Sequence, residues 1–311
     1  MKRVFAVLMI FLISTACYAS SADENFHAKK SENRQNIYRP DKSDDKELQS
    51  LITAYFPKFT AHTYIDDTGM KLPFSVYVPE GYSADKKFPV VFFIADASSV
   101  GKGVEFSLTQ GLGGLIWCKH DCIVIVPSFP EVIVDDHNGF TESPYVELTG
   151  RFVNWAVKNS PADESRVYAT GQSMGCMTWL VLSSRYPRLF TACMFVSGQW
   201  DINALKGLIG QKFVYAASAG DPKASAGMNE VIEMYAKSEA GNFSVIKKVD
   251  AKNPDVSMAD SMTANFIMFA KGSTLPNGTE GQYSEHMSSF DYAYRIEAVR
   301  KWLLSQKKEA Q

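Results

Sequence analysis

Residues 167–180 read VYATGQSMGCMTWL, an apolar run broken by Gly171, Gln172, Ser173, Met174 and Gly175 and then resumed. Small residues at this point suit a tight turn, and they equally suit a turn that holds a nucleophile. The pattern G-x-S-x-G is short enough to arise by chance, so its flanks decide. Before it, RVYAT (166–170) has the β-branched and apolar character of a strand; after it, MTWLVLSSRYP (177–187) reads as a helix closed by proline. In that setting the serine sits on a strained strand-to-helix turn, its hydroxyl exposed at the carboxyl edge of a sheet. Gly171 and Gly175 are then required, because a Cβ at either would meet the neighbouring helix or strand. The helix start beneath Ser173 adds unpaired N–H groups and a positive dipole end.

The same alternation extends outward. FTAHTYIDDTGMKLPFSVYVPEGY (59–82) reads as a β-hairpin turning at Asp67, Thr68 and Gly69. KKFPVVFFIAD (86–96) and CIVIVPSFP (122–130) are continuous apolar runs, as expected of strands buried on both faces. Between them SLTQGLGGLIWCK (107–119) suggests a short helix. LFTACMFVSG (189–198) and KFVYAASAGD (212–221) are further strand candidates, and 147–159, 174–186, 227–240 and 292–306 have helical character. Strands alternating with helices predict an α/β fold with a mostly parallel central sheet and helices on both faces.

The chain has 311 residues, 46% of them hydrophobic, and a net charge of −2. That allows a large core and gives no electrostatic case for a nucleic-acid partner. Lys2 and Arg3 followed by an apolar run over 4–13 and then small residues make residues 1–19 a signal peptide, the run being too short to span a bilayer. Cys17, after Ser14, Thr15 and Ala16, is also a loose match to a lipid-acceptor site, so a membrane enters only through such an anchor. Either way the protein is exported, to the periplasm or beyond. Residues 20–47 are polar and form a poorly ordered lead-in, and 48–311 form one catalytic domain. The four remaining cysteines are Cys118, Cys122, Cys176 and Cys193. CKHDC (118–122) lacks the second half of a metal site, which leaves a short-loop disulfide or two free thiols.

A serine hydroxyl needs a base to take its proton and a third group to orient that base. Of the five histidines, His27, His62, His120 and His137 fall in polar or connecting stretches. His286 lies in GQYSEHMSSFDYAY (281–294), read as a polar loop before the last helix, where the order Ser, acid, His expects the base. The acid belongs after a strand between the two. Asp221 ends KFVYAASAGD, with Asp201 in reserve. The backbone N–H groups of Met174 and Ala97 are the candidate oxyanion donors. Trp117, Phe129, Phe140, Tyr145 and Trp200 are candidates for an acyl or aryl pocket, with core packing the alternative.

With these residues in place the chain resembles the α/β-hydrolase superfamily, and within it secreted esterases of the polyhydroxybutyrate-depolymerase and feruloyl-esterase type, grouped with prolyl-oligopeptidase-like peptidases. The resemblance rests on residues 167–198, where Tyr186, Pro187 and Phe190 follow the nucleophile helix, on 88–103, and on 285–308. It implies a serine carboxylesterase working through an acyl-enzyme on Ser173, His286 and Asp221, with no metal and no organic cofactor. Its substrate would be a small ester or one linked to a polysaccharide or polyester. A peptidase on short peptides and a non-catalytic binding protein are the alternatives.

Three departures stand out. Ala95 and Asp96 replace the usual His-Gly after the oxyanion strand, Cys176 replaces a glycine, and the acid loop SAGD (218–221) is short. A carboxylate aimed at an oxyanion 4 Å away would cost ~4 kcal/mol at an effective dielectric near 20. Asp96 is therefore expected to turn away and cap the loop of Ser98 and Ser99, or to carry a proton.

Overall fold

The unbroken apolar runs, such as VVFFI (90–94) and IVIV (123–126), become strands buried on both faces. The protein is described here by a computed structural model that covers residues 41–81, 86–239, 242–279 and 281–308. The expected signal peptide, residues 1–19, and most of the expected lead-in lie outside the described residues.

In chain order the strands are β1 (Thr60–Ile65), β2 (Lys71–Tyr77), β3 (Phe88–Ile94), β4 (Ile123–Pro127), β5 (Val134–Asp135), β6 (Thr141–Glu142), β7 (Ala162–Gln172), β8 (Ala192–Val196), β9 (Phe213–Ser218), β10 (Phe243–Val249) and β11 (Ala264–Phe269). The helices are α1 (Lys46–Tyr55), α2 (Gly103–Thr109), α3 (Leu112–Leu115), α4 (Pro144–Lys158), α5 (Met174–Arg185), α6 (Pro222–Ala236), α7 (Glu285–Arg295) and α8 (Glu297–Ser305). Nine strands form one sheet in the order β1-β2-β4-β3-β7-β8-β9-β11-β10, and β5 pairs with β6 as a separate hairpin. The pairs of β2 with β1 and with β4 are antiparallel; every other pair in the large sheet is parallel. Helices α4, α5 and α6 pack on one face, and α1, α3, α7 and α8 on the other. Among the described residues no helix is long and apolar enough to cross a membrane.

Several elements differ from the sequence expectation. The short helix over 107–119 is split, because Gly111 is extended (φ 174°) and the freed Leu112 N–H donates to Asp291 Oδ1 at 2.9 Å. Helix α6 starts well before residue 227, since Asp221 caps it and Pro222 occupies its first position. The stretch before residue 292 is helix, not loop: Ser284 caps α7, accepting from the His286 N–H, so His286 sits in the first turn. A break at Ile296 (ψ 100°) then separates α7 from α8. Residues 243–249 have a surface character in sequence, with Lys247, Lys248 and then Asp250, yet they form the edge strand β10, paired in parallel with the buried strand β11.

The segment just ahead of α1 is fastened to α7. Lys42 Nζ meets Asp291 Oδ2 at 2.5 Å, and Arg295 pairs with both Asp45 and Glu47.

Candidate active site

Strand β7 ends at Gln172 and α5 begins at Met174, so one residue makes the whole connection. That residue, Ser173, has φ 50° and ψ −114°, a region that costs a non-glycine residue of order 1–3 kcal/mol. The surroundings over-determine it. Its N–H donates to Val196 O at 3.0 Å, and its C=O accepts from Met177 N–H at 2.9 Å. A Cβ on Gly175 would lie 2.0 Å from Ile94 O, and one on Gly171 would lie 2.6 Å from the Gly175 carbonyl carbon. The glycines let α5 press against the ends of β3 and β7, which tips the serine out of the ladder.

The three residues expected to cooperate are brought together from separate elements. His286 Nε2 lies 2.9 Å from Ser173 Oγ, and His286 Nδ1 lies 2.6 Å from Asp221 Oδ2. The Asp221 side chain is 5% exposed and that of His286 25%, so the acid is shielded while the ring reaches solvent. The other oxygen of Asp221 accepts the Ala224 N–H at 3.2 Å, so one carboxylate caps α6 and faces the imidazole. The edge of the His286 ring rests on Phe290 at 5.1 Å between centroids. Asp201, the reserve, instead caps the turn Ile202–Ala204.

One further residue holds this arrangement. Glu285 is buried, and its Oε2 accepts from Ser218 Oγ at 2.6 Å, Gly272 N–H at 2.9 Å and Thr274 Oγ1 at 3.3 Å. A Cβ on Gly220 would lie 1.7 Å from Glu285 Oε1, so the short acid loop closes directly over this carboxylate. Glu285 thereby ties the loops after β9 and β11 to the turn that carries His286. The sequence gives no signal for it beyond a glutamate next to the histidine.

On the other side, Ala97 opens the turn Ala97–Ser99 and Met174 opens α5. The amide of a first helical residue has no intrahelical acceptor. Asp96 caps the Ala97–Ser99 turn as expected, Oδ1 accepting the Ser98 N–H at 3.0 Å. Its Oδ2 accepts from Gln172 Nε2 at 2.8 Å. Cys176 packs under Gly198, where a Cβ would lie 2.7 Å from the Cys176 Cβ.

The remaining candidates disperse. All four described cysteines are free and buried, and burial pushes the Cys118, Cys122 and Cys176 thiols well up. Trp117, Phe129 and Trp200 are buried; Phe140 is 48% exposed, its ring 5.1 Å from Trp200. Asp135, Asp136 and His137 cluster on the β5–β6 hairpin, but Asp136 is engaged by Lys223 at 2.9 Å and by Gln199.

The geometry agrees with four likenesses. Residues 65–238 match the model of a family described as "Putative esterase". A stretch of 62 residues is 39% identical to acetylxylan esterase A of Emericella nidulans, covering 20% of this chain and 19% of the relative. The chain thus spans about a fifth of the length of that curated relative. Among solved structures, a thermostable esterase superposes with a TM-score of 0.64 at 19% identity, over 81% of this chain and 64% of that one. The feruloyl esterase module from Clostridium thermocellum gives 0.55 at 14% identity, over 81% and 90%. At those identities the two structures speak for the shared α/β-hydrolase fold.

Proposed function

The chain belongs to this esterase family, and from that premise we propose that it is an exported serine carboxylesterase working through an acyl-enzyme. The observation that carries the reading is the unbroken chain of contacts from Ser173 Oγ through the His286 ring to Asp221, at 2.9 and 2.6 Å. In this reading His286 Nε2 takes the Ser173 proton as Oγ attacks the ester carbonyl carbon. Asp221 holds the imidazole in the tautomer that leaves Nε2 free to accept, and stabilises the imidazolium. The N–H groups of Ala97 and Met174 receive the oxyanion. Collapse of the tetrahedral intermediate breaks the ester C–O bond, and His286 returns the proton to the leaving alcohol. A water activated by the same ring then releases the acid and restores Ser173.

The substrate is a carboxylic ester, small or borne on a polymer; acetylated xylan, taken from the matched fungal relative, is the first polymer to test. Residues 1–19 are the signal peptide, or Cys17 carries a lipid; 20–47 are the lead-in, and 48–311 the catalytic unit. Mass spectrometry of the mature amino terminus tests that division. A serine-directed phosphonate probe should label the native protein and not Ser173→Ala. Absence of labelling in the native protein would sink the enzyme reading in favour of a binding protein. In a panel of p-nitrophenyl acyl esters, methyl ferulate and peptide arylamides, esters should turn over fastest. Arylamides outpacing every ester would favour the peptidase.

A further inference from the structure

Beyond the catalytic contacts, the two amides assigned to the oxyanion are linked by a pair of side chains. Strands β3 and β7 run parallel, and their last backbone pair is Ile94 with Gly171. Ala97 and Met174 both lie past that point, each three residues on along its own chain. No ladder bond between these strands continues there to fix how far apart the amides sit. The contact that does cross the gap is the hydrogen bond from Gln172 Nε2 to Asp96 Oδ2, at 2.8 Å. Each partner is 3% exposed, and a hydrogen bond to a buried carboxylate is among the stronger ones a protein makes.

The Asp96 end of this bond adjoins one donor, Ala97, and the Gln172 end lies two residues from the other, Met174. Gln172 immediately precedes Ser173, and Asp96 immediately precedes Ala97. Asp96 also shapes the turn that carries Ala97, Oδ1 accepting the Ser98 N–H at 3.0 Å and its carbonyl accepting the Ser99 hydroxyl at 2.8 Å. On the far side, Gln172 borders a small cavity of about 10 Å³ lined by Ser99, Ser107 and Gln110 together with Phe93 and Phe106. Gln172 Oε1 has no protein partner among the described residues, so the bond to Asp96 is the contact that holds this amide.

We propose that Asp96 and Gln172 form a strut that sets the separation of the two oxyanion donors, which makes both of them positioning residues for ester hydrolysis. The assignment rests on Ser173 being the nucleophile. It also gives a use to the residue pair that departs from the family pattern: Asp96 supports the oxyanion loop from behind, and the glutamine of GQSMG is the donor it requires.

The test exchanges donor and acceptor. Gln172→Glu places two carboxylates in contact and should lower kcat on a p-nitrophenyl ester by about 10²-fold, the loss expected when an oxyanion donor is misplaced. KM should stay within about twofold, because the contact acts on the transition state. The loss should shrink as pH falls and the pair shares a proton. Asp96→Asn combined with Gln172→Glu rebuilds the bond with its polarity reversed and should recover at least about tenfold of the lost kcat. Gln172→Met, which removes the bond without adding charge, supplies a folded comparison if Gln172→Glu melts early; its kcat should fall about tenfold. Native kcat in both Gln172→Glu and Gln172→Met would overturn the strut. So would a double variant no faster than Gln172→Glu at unchanged melting temperature. Full esterase activity in Ser173→Ala would instead remove the nucleophile assignment on which the strut rests, a separate failure from these.

Discussion

The two halves of the proposed catalytic site are built from different materials. The nucleophile half is backbone: Ser173 with φ 50°, two glycines pressed against Ile94 O and one another, and amides at two helix starts. The acid–base half is side chain: Asp221, His286 and Glu285, with Ser218 and Thr274, meet from the ends of β9, β11 and α7. A backbone device tolerates no added atom, because its contacts belong to the main chain of the sheet. A side-chain device tolerates any change that keeps its hydrogen bonds. Substitutions in the first half should therefore cost folding and activity together, and in the second chiefly activity.

Besides the strut of Asp96 and Gln172, the exception inside the backbone half is the hydroxyl of Ser173, the proposed nucleophile. Ser173→Ala should lower kcat by about 10⁵-fold or more with the melting temperature held, as read by ester turnover and calorimetry. Native turnover would dismantle the comparison. Next, Asp221→Asn keeps an acceptor for the Ala224 N–H but favours the wrong imidazole tautomer. Its kcat should drop about 10⁴-fold while α6 and overall stability survive, and a large fall in melting temperature would show that the acid is chiefly a cap. Gly175→Ala probes the other half, where the new Cβ meets Ile94 O at 2.0 Å. A loss of about 3 kcal/mol of stability, together with a fall in kcat, is expected from denaturant melts and kinetics. A stable but slow variant would blur the distinction drawn here.

Glu285→Gln sharpens it. Glutamine retains one oxygen for Ser218, Gly272 or Thr274, so kcat should fall about tenfold with KM unchanged and a stability cost of about 1 kcal/mol. Collapse of the fold would make Glu285 a core residue first. The smallest effect is a gain: Ser173→Gly relieves the positive φ and, after the entropy lost by glycine, should leave the dead protein up to about 1 kcal/mol more stable. A clear loss of stability would mean that the elbow is not strained.

What the sequence disclosed follows the same division. The nucleophile half was legible because it is local: strand, two glycines and helix lie within 167–180, and their order alone dictates the turn. Ser173, His286 and Asp221 could be picked out because chain order constrains them. The supporting contacts were not legible, since Glu285 takes its meaning from Ser218, Gly272 and Thr274, which are neighbours only after folding. The orientation of Asp96 was anticipated from the cost of a misplaced charge, but its partner Gln172 was not. Strand β10 was not legible either: as the edge strand of the sheet it keeps Lys247 and Lys248 exposed, so it lacks the unbroken apolar run of the inner strands.

The fastening of residues 42–47 to α7 has a mechanical consequence. Tension applied to the polypeptide ahead of Lys42 reaches the body through its contact with Asp291 and through Arg295, gripped by Asp45 and Glu47. Both anchor points sit on the helix whose first turn carries His286. The better shielded of the two is the pair of Lys42 and Asp291, at 16% and 6% exposure, and Asp291 also grips the Leu112 amide. Load entering from a tether would thus be shared with the body of the protein at Asp291, before it could displace the imidazole from the serine.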